Sequence, residues 1–254
     1  MVLCTIVFRF DNGIVDKNIT SAFYVATNPV GSRFPIGNEQ PWAFFNDYND
    51  IFWILLIGVF AFMLLLGLIK KQRFGFLIRY ALFGILAYAV NVGLVVNAIF
   101  KGLWGRPRPQ MTTMWPNTPT PIGPFYMVWD PAFLDNPNLI GIGVSFPSGH
   151  VAVIVACIML FYIFMEPAAW GQMLGNAKKV GYFRAVKWSA LAFTLVGGIL
   201  TGIARIAAGE HFASDVLWSF GMVWNLTAIF YYWIFRIPQL ENKTILIMNI
   251  GSPA

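Results

Sequence analysis

The sequence predicts an all-α protein, a polytopic transmembrane helix bundle, and three observations carry that prediction. Of 254 residues, 58% are hydrophobic and 11% are charged, against about a quarter charged in an ordinary soluble domain. Apolar runs of about 20 residues recur along the chain, each long enough to cross roughly 30 Å of hydrocarbon. The 17 basic residues gather in short clusters between those runs instead of spreading over a surface.

The first ten residues, MVLCTIVFRF, are apolar but too short to span, and they lack the pattern of a cleavable signal. From residue 11 to 50, Asp11, Asp16, Glu39, Asp47 and Asp50 mix with aromatics and turn formers. Val15, Ile19 and Ala22 or Phe23 stand at helical spacing, which predicts a short interfacial helix followed by loop. A first span is predicted from about Ile51 to Ile69, closed by Lys70, Lys71 and Arg73. A second runs from about Phe76 to Phe100, with Arg79 placed to snorkel and with Asn91 and Asn97 expected to bond neighbouring helices.

The loop from Pro109 to Pro147 is unusually long, aromatic and free of Lys and Arg. Such a loop suits a lid or binding loop, and the alternative is a plain interfacial tether. The third span is predicted from His150 to about Met165, followed by a loop carrying Lys178, Lys179, Arg184 and Lys187. The fourth runs from about Trp188 to Ala208 and the fifth from about His211 to Phe235, the tight connection making them antiparallel neighbours. Beyond Arg236, the patch Ile245 to Ile250 is too short to cross. The organisation expected is an amino-terminal interfacial segment (1–50), a transmembrane catalytic domain (51–237) and a cytoplasmic tail (238–254).

With five spans, the basic clusters all fall on one side, which the positive-inside rule makes cytoplasmic. The long loop, His150 and the turn from Arg205 to His211 fall on the other side. Membrane topology also accounts for the net charge of +6, so no nucleic-acid partner is implied. Cys4 and Cys157 lie in apolar surroundings without metal-ligand spacing and read as small buried hydrophobes.

Three polar blocks stand out against this background. In VSFPSGHVA, Pro147 to His150 opens an apolar helix, whose unpaired N–H groups favour an oxyanion, and His150 adds a group suited to acid-base work. Arg205, His211 and Asp215 form R-x5-H-x3-D, with His211 and Asp215 one helical turn apart, so that the carboxylate can fix the tautomer and leave the other ring nitrogen nucleophilic. The helix N-terminus also disfavours the protonated ring. A purely structural His-Asp bond is the competing reading of that pair. In KGLWGRPRP, Lys101 and Arg108 can neutralise a phosphoryl group, while Arg106 reads more readily as a snorkelling cation.

Together, K-x6-R-P, P-S-G-H and R-x5-H-x3-D in this order resemble the type 2 phosphatidic acid phosphatase superfamily over about Phe100 to Trp218. The resemblance implies a metal-independent hydrolase without cofactor. In it, His211 attacks phosphorus to give a phosphohistidine, Asp215 orients it and His150 is general acid to the leaving oxygen. Lys101, Arg108, Arg205, Ser148 and the Gly149 backbone would bind the phosphoryl oxygens. Ala204 stands where the family commonly has Ser.

The blocks GRPRP, SFPSGH and GEHFASDV, with DKNITSAFY near the amino terminus, are similar to bacterial lipid A 1-phosphatases. That similarity implies a lipid phosphate substrate in the bacterial cytoplasmic membrane, with the active site on the periplasmic face. It also implies six spans, so the first is expected to be missing or shortened here. Undecaprenyl pyrophosphate, phosphatidylglycerophosphate and phosphatidic acid are alternative substrates. The alternative from another class is a non-catalytic lipid-binding scaffold or transporter, against which both histidines cluster at one membrane face.

Overall fold

A computed structural model describes residues 11–29, 33–116, 118 and 120–242. Among them the chain forms helices, short 3-10 turns and loops, with isolated bridges from Arg106 to Val144 and from Thr112 to Gly123 but no strand. The expectations for the first ten residues, for Cys4 and for Ile245 to Ile250 lie outside the described residues.

In chain order the principal helices are α1 (Ile14–Ser21), α2 (Trp42–Asp47), α3 (Asn49–Ile69), α4 (Leu77–Leu103), α5 (Gly149–Val155), α6 (Ile158–Ile163), α7 (Pro167–Met173), α8 (Val180–Ala207) and α9 (Ala213–Ile229), with a single turn at Lys71–Phe74 between α3 and α4. By length and composition α3, α4 and α8 can each cross a membrane. The α5–α6 stretch and α7 meet at 64° and make a fourth crossing if counted as one span. The sequence predicted five. The fifth corresponds to α9, which continues through the wide turns of Phe230–Ile234. Asp215, Asn225 and several Trp and Tyr residues make it less apolar than the other spans.

Helices α5 and α6 form the hub. Every side chain from Val151 to Met159 is buried, and α5 packs against α3, α4, α8 and α9. The outer helices turn their apolar sides outward: α3 exposes Ile54, Leu55, Phe62, Leu65 and Leu68, an arrangement that suits hydrocarbon and would be an aggregation hazard in water. Cys157 is buried, as its surroundings suggested.

Several local expectations change. Residues 180–187 were expected in a loop, yet α8 begins at Val180 and includes Arg184 and Lys187. A helix of 28 residues outruns the hydrocarbon, so its first turns carry charge at the interface, with Tyr182 and Trp188 exposed there. Arg79 does not snorkel outward. Its guanidinium donates to the Phe235 carbonyl, satisfying a helix-end acceptor. Asn91 does bridge helices, its Nδ2 donating to Thr227 Oγ1 at 3.0 Å, but Asn97 donates within α4, to the Val92 carbonyl at 2.8 Å. The wide π-type turns of Ala89–Phe100 place that carbonyl five residues back.

The tail begins packed against the bundle. Glu241 is buried and accepts hydrogen bonds from Tyr80 Oη at 2.7 Å and Tyr231 Oη at 3.1 Å. The short helix expected in the amino-terminal segment is α1. In α1 the apolar Ile14 and Ile19 are exposed, whereas Asp16 and Thr20 are buried. The helix docks on α9 by its polar face because Asp16 has a charge and two hydrogen-bond donors to meet there.

Candidate active site

One end of the bundle collects the reactive residues, because α3, α5 and α9 begin there and α4 and α8 end there. The Pro-Ser-Gly-His turn leads into α5. Ser148 occupies the N-cap position but makes no side-chain cap bond, and its buried Oγ has no hydrogen-bond partner. Gly149 allows a close approach by α4. A Cβ there would come within 3.3 Å of Lys101 Nζ and 2.9 Å of Asn97 Oδ1. His150 is half-buried, with its carbonyl held by Asn49 Nδ2 at 3.1 Å. It lines a cavity of about 350 Å³ with Lys101, Asn97, Trp53 and Asp50, between the first two long helices.

The third block is positioned by the end of α8. Gly209 takes φ +67, a left-handed value that glycine adopts without strain. The following amides return to α8, Glu210 N and His211 N both donating to the Arg205 carbonyl at 3.0 and 3.3 Å. His211 therefore stands before α9, not on its first turn. Its ring is fully buried, and Nδ1 meets the Ser145 carbonyl at 2.5 Å. Since a carbonyl only accepts, the proton sits on Nδ1, leaving Nε2 bare and without a partner. Burial, reinforced by the charges of Arg205, Lys101 and Arg108, holds the imidazole well below its ordinary pKa. It is neutral at pH 7. Neutrality was expected from the helix terminus, and burial with three cations supplies it instead.

Asp215 was expected to accept a hydrogen bond from the His211 ring N–H, but its Oδ2 lies 3.9 Å from Nδ1. That oxygen accepts from Ser145 Oγ at 2.7 Å and from the Phe212 amide at 2.8 Å, while Oδ1 is ion-paired with Arg106. Asp215 thus reaches His211 through Ser145, whose hydroxyl it holds and whose carbonyl holds the ring. The Ser219 hydroxyl donates at 2.9 Å to the carbonyls of Ser148 and Asp215, coupling the second block to the third.

Arg106 corrects the snorkelling reading. It is completely buried, pairing with Asp215 on one side and Asp16 at 2.8 Å on the other. Its Nε donates to the Tyr126 carbonyl at 2.9 Å and Nη1 to Ser214 Oγ at 2.8 Å. Burial alone would favour the neutral form, but the two carboxylates raise its pKa and keep it charged. Asp16 in turn accepts from the Ser214 amide at 2.8 Å. The long loop packs against α9 and its N-cap: Trp129 meets Trp218 edge to face, and Phe125 meets Phe212 in the same way.

Arg108 and Arg205 stay near the surface of this core, at 24% and 10% side-chain exposure. Both are ion-paired with Glu210, and Arg205 Nη1 also donates to Asn46 Oδ1 at 3.2 Å. The arrangement offers a bare imidazole nitrogen, an uncommitted hydroxyl, a second histidine and three cations, which suits attack on a phosphoryl group. Sequence reasoning missed Arg106, Ser145 and Glu210 as site residues, along with Asp16, Asn46 and Asn49. One available signal was Asp16, a lone acid set among the apolar residues Val15 and Ile19 of the expected helix.

Comparison with known proteins agrees with this chemistry. Over 223 residues, 87% of each chain, the sequence is 27% identical to the lipid A 4'-phosphatase of Francisella tularensis subsp. novicida (strain U112). No solved structure matches. Residues 76–239 match the PAP2 superfamily. A match of that extent, over the helical bundle just described, makes the chain a member of the PAP2 superfamily and a membrane-embedded phosphoric ester hydrolase.

Proposed function

We propose that the protein removes a phosphate from a phosphorylated saccharolipid of the lipid A type, through a phosphohistidine on His211. The observation that carries this reading is the His211 ring, with Nδ1 held by a carbonyl and Nε2 bare. In the first step Nε2 attacks phosphorus, the bond from phosphorus to the lipid oxygen breaks, and His150 gives its proton to that oxygen. In the second step water attacks the phosphohistidine, His150 takes the water proton, and the P–N bond breaks to release inorganic phosphate. Lys101, Arg108 and Arg205 stabilise the charge on the phosphoryl oxygens, and Ser148 Oγ donates to one of them. Asp215 positions the nucleophile through Ser145.

The relative's activity favours the 4'-phosphate over the 1-phosphate that the motif resemblance suggests. The basic residues at the far end of the bundle, Lys70 to Arg79 and Lys178 to Lys187, support placing the active site on the periplasmic face. The test is phosphate release from bisphosphorylated lipid A, with mass analysis of which phosphate is lost. Undecaprenyl pyrophosphate, phosphatidylglycerophosphate and phosphatidic acid serve as competitors. His211→Ala should abolish release and the acid-labile phosphoenzyme while leaving a folded bundle. Full activity in that variant would sink the mechanism, and release from phosphatidic acid alone would sink the substrate.

A further inference from the structure

Glu210 is the residue that the catalytic cycle leaves without a role. Its Oε2 is ion-paired with both Arg108 and Arg205, the latter at 3.1 Å, and its Oε1 accepts from Gln110 Nε2 at 2.8 Å. Asp215 is committed to Arg106, Ser145 and the Phe212 amide. Among the described residues, Glu210 is therefore the carboxylate ion-paired with these arginines. A carboxylate oxygen between two guanidiniums carries the charge and occupies the position with which a phosphoryl oxygen would meet them.

We propose that Glu210 is a resident occupant of the phosphate cradle, displaced when a phosphoryl group enters and returning to expel inorganic phosphate. The proposal rests on the reading above, that Arg108 and Arg205 bind the phosphoryl group. The structure offers the carboxylate somewhere to go. Glu210 also lines a polar pocket of about 380 Å³ between the end of α8 and the aromatic pair Tyr24 and Trp115. Arg33 lines the same pocket. Its Nη1 donates to Tyr24 Oη at 2.9 Å, but its buried Nε has no hydrogen-bond partner. That idle donor would receive the displaced carboxylate.

Two states follow. At rest, Glu210 offsets one of the two arginine charges. With substrate bound, the phosphoryl oxygens take its place and Glu210 turns toward Arg33. Apparent affinity for any phosphate is then lowered by the fraction of molecules with the carboxylate out. The gain comes after hydrolysis, when three cations would otherwise retain a multiply charged product.

The experiment measures binding of inorganic phosphate and vanadate to the full chain in detergent, by ligand-induced thermal stabilisation, and inhibition of phosphate release by the same anions. Glu210→Gln should tighten phosphate binding by about tenfold or more and lower KM, while kcat falls as product release becomes limiting. Glu210→Ala should move the same way and covers a misfolded amide variant. Arg33→Gln should weaken phosphate binding, an effect that disappears in the Glu210→Gln background. Weaker phosphate binding in both Glu210 variants would show that the carboxylate only positions the arginines, and unchanged binding would show that it does not compete. Either result overturns the proposal, as does an Arg33→Gln effect of equal size in both backgrounds. A native chain that binds neither anion and releases no phosphate from any lipid would instead overturn the underlying assignment of the cradle.

Discussion

Replacing Arg106 by Ala should unfold the protein at a much lower temperature, and the size of the loss follows from its surroundings. The guanidinium is fully buried between two buried carboxylates, Asp16 and Asp215. Removing one partner of a buried ion pair typically costs about 3–5 kcal/mol, because the remaining charge is left without compensation. Here two carboxylates and the Tyr126 carbonyl lose a donor at once, so about 5 kcal/mol is a fair figure. At about 2–4 °C per kcal/mol for a chain of this size, the melting temperature should fall by about 10–20 °C. Tryptophan fluorescence of detergent-purified protein reads the transition, since Trp129 and Trp218 pack together beside the site. Arg106→Lys should recover only part of the loss, as one ammonium cannot fork between two carboxylates. Arg108→Gln is the contrast: its side chain is 24% exposed, so melting should stay within about 2 °C while phosphate release collapses. A melting temperature for Arg106→Ala within about 3 °C of native, where about 5 kcal/mol should be lost, would refute the buried-clasp argument.

The depressed pKa of His211 fixes the sign of one pH effect. Protonation would remove the proposed nucleophile, so the acid limb that it contributes to kcat/KM should have its midpoint clearly below the ordinary value of about 6.5; a midpoint above that value in the pH–rate profile contradicts the neutral ring. Glu241 is raised to about 7 from 4.5, chiefly by burial. Its neutral carboxyl's share of stability is intact below pH 4.5 and lost as pH rises through about 7, a swing of up to about 3 kcal/mol. Glu241→Gln should therefore raise the melting temperature at pH 8 and leave it nearly unchanged at pH 4.5, whereas equal shifts at both would count against the buried carboxyl. Gly149→Ala should fold but bind phosphate and vanadate several-fold more weakly, because its Cβ would press on Lys101 Nζ; native affinity in titrations would show that Lys101 yields freely.

What the sequence disclosed and what it hid divide along a physical line. Apolar runs report the spans because each helix must satisfy its own backbone bonds in lipid, and α3 and α4 fall within a few residues of the expected limits. The break between α5 and α6 was invisible, since Ala156 and Cys157 continue the apolar run in which the helix is interrupted. At the site, the three blocks announce themselves because charged residues are so sparse. Their assignment within KGLWGRPRP was harder. Arg106 and Arg108 are separated by one proline and look equivalent, yet one is entombed and the other half open. The difference lies in residue 16, ninety positions away, and in Asp215 on α9. No local pattern encodes a partner at that distance.

That distant partner changes what the amino-terminal segment is for. While Ile14 and Ile19 face outward, α1 turns its acid into the protein, with Asp16 closing on Arg106 and the Ser214 amide. The same guanidinium grips Asp215, which holds Ser145, which in turn holds the ring of His211. Asn46 and Asn49, from the same stretch of chain, reach Arg205 and the carbonyl of His150. This stretch thus braces both histidines and Arg205 from outside the recognised blocks. Asp16→Asn separates this bracing from simple docking. The amide keeps the shape of α1 but gives up the charge that Arg106 requires. If the segment braces the site, kcat should fall along with stability; if it merely docks, kcat should be unchanged at temperatures where the variant is folded.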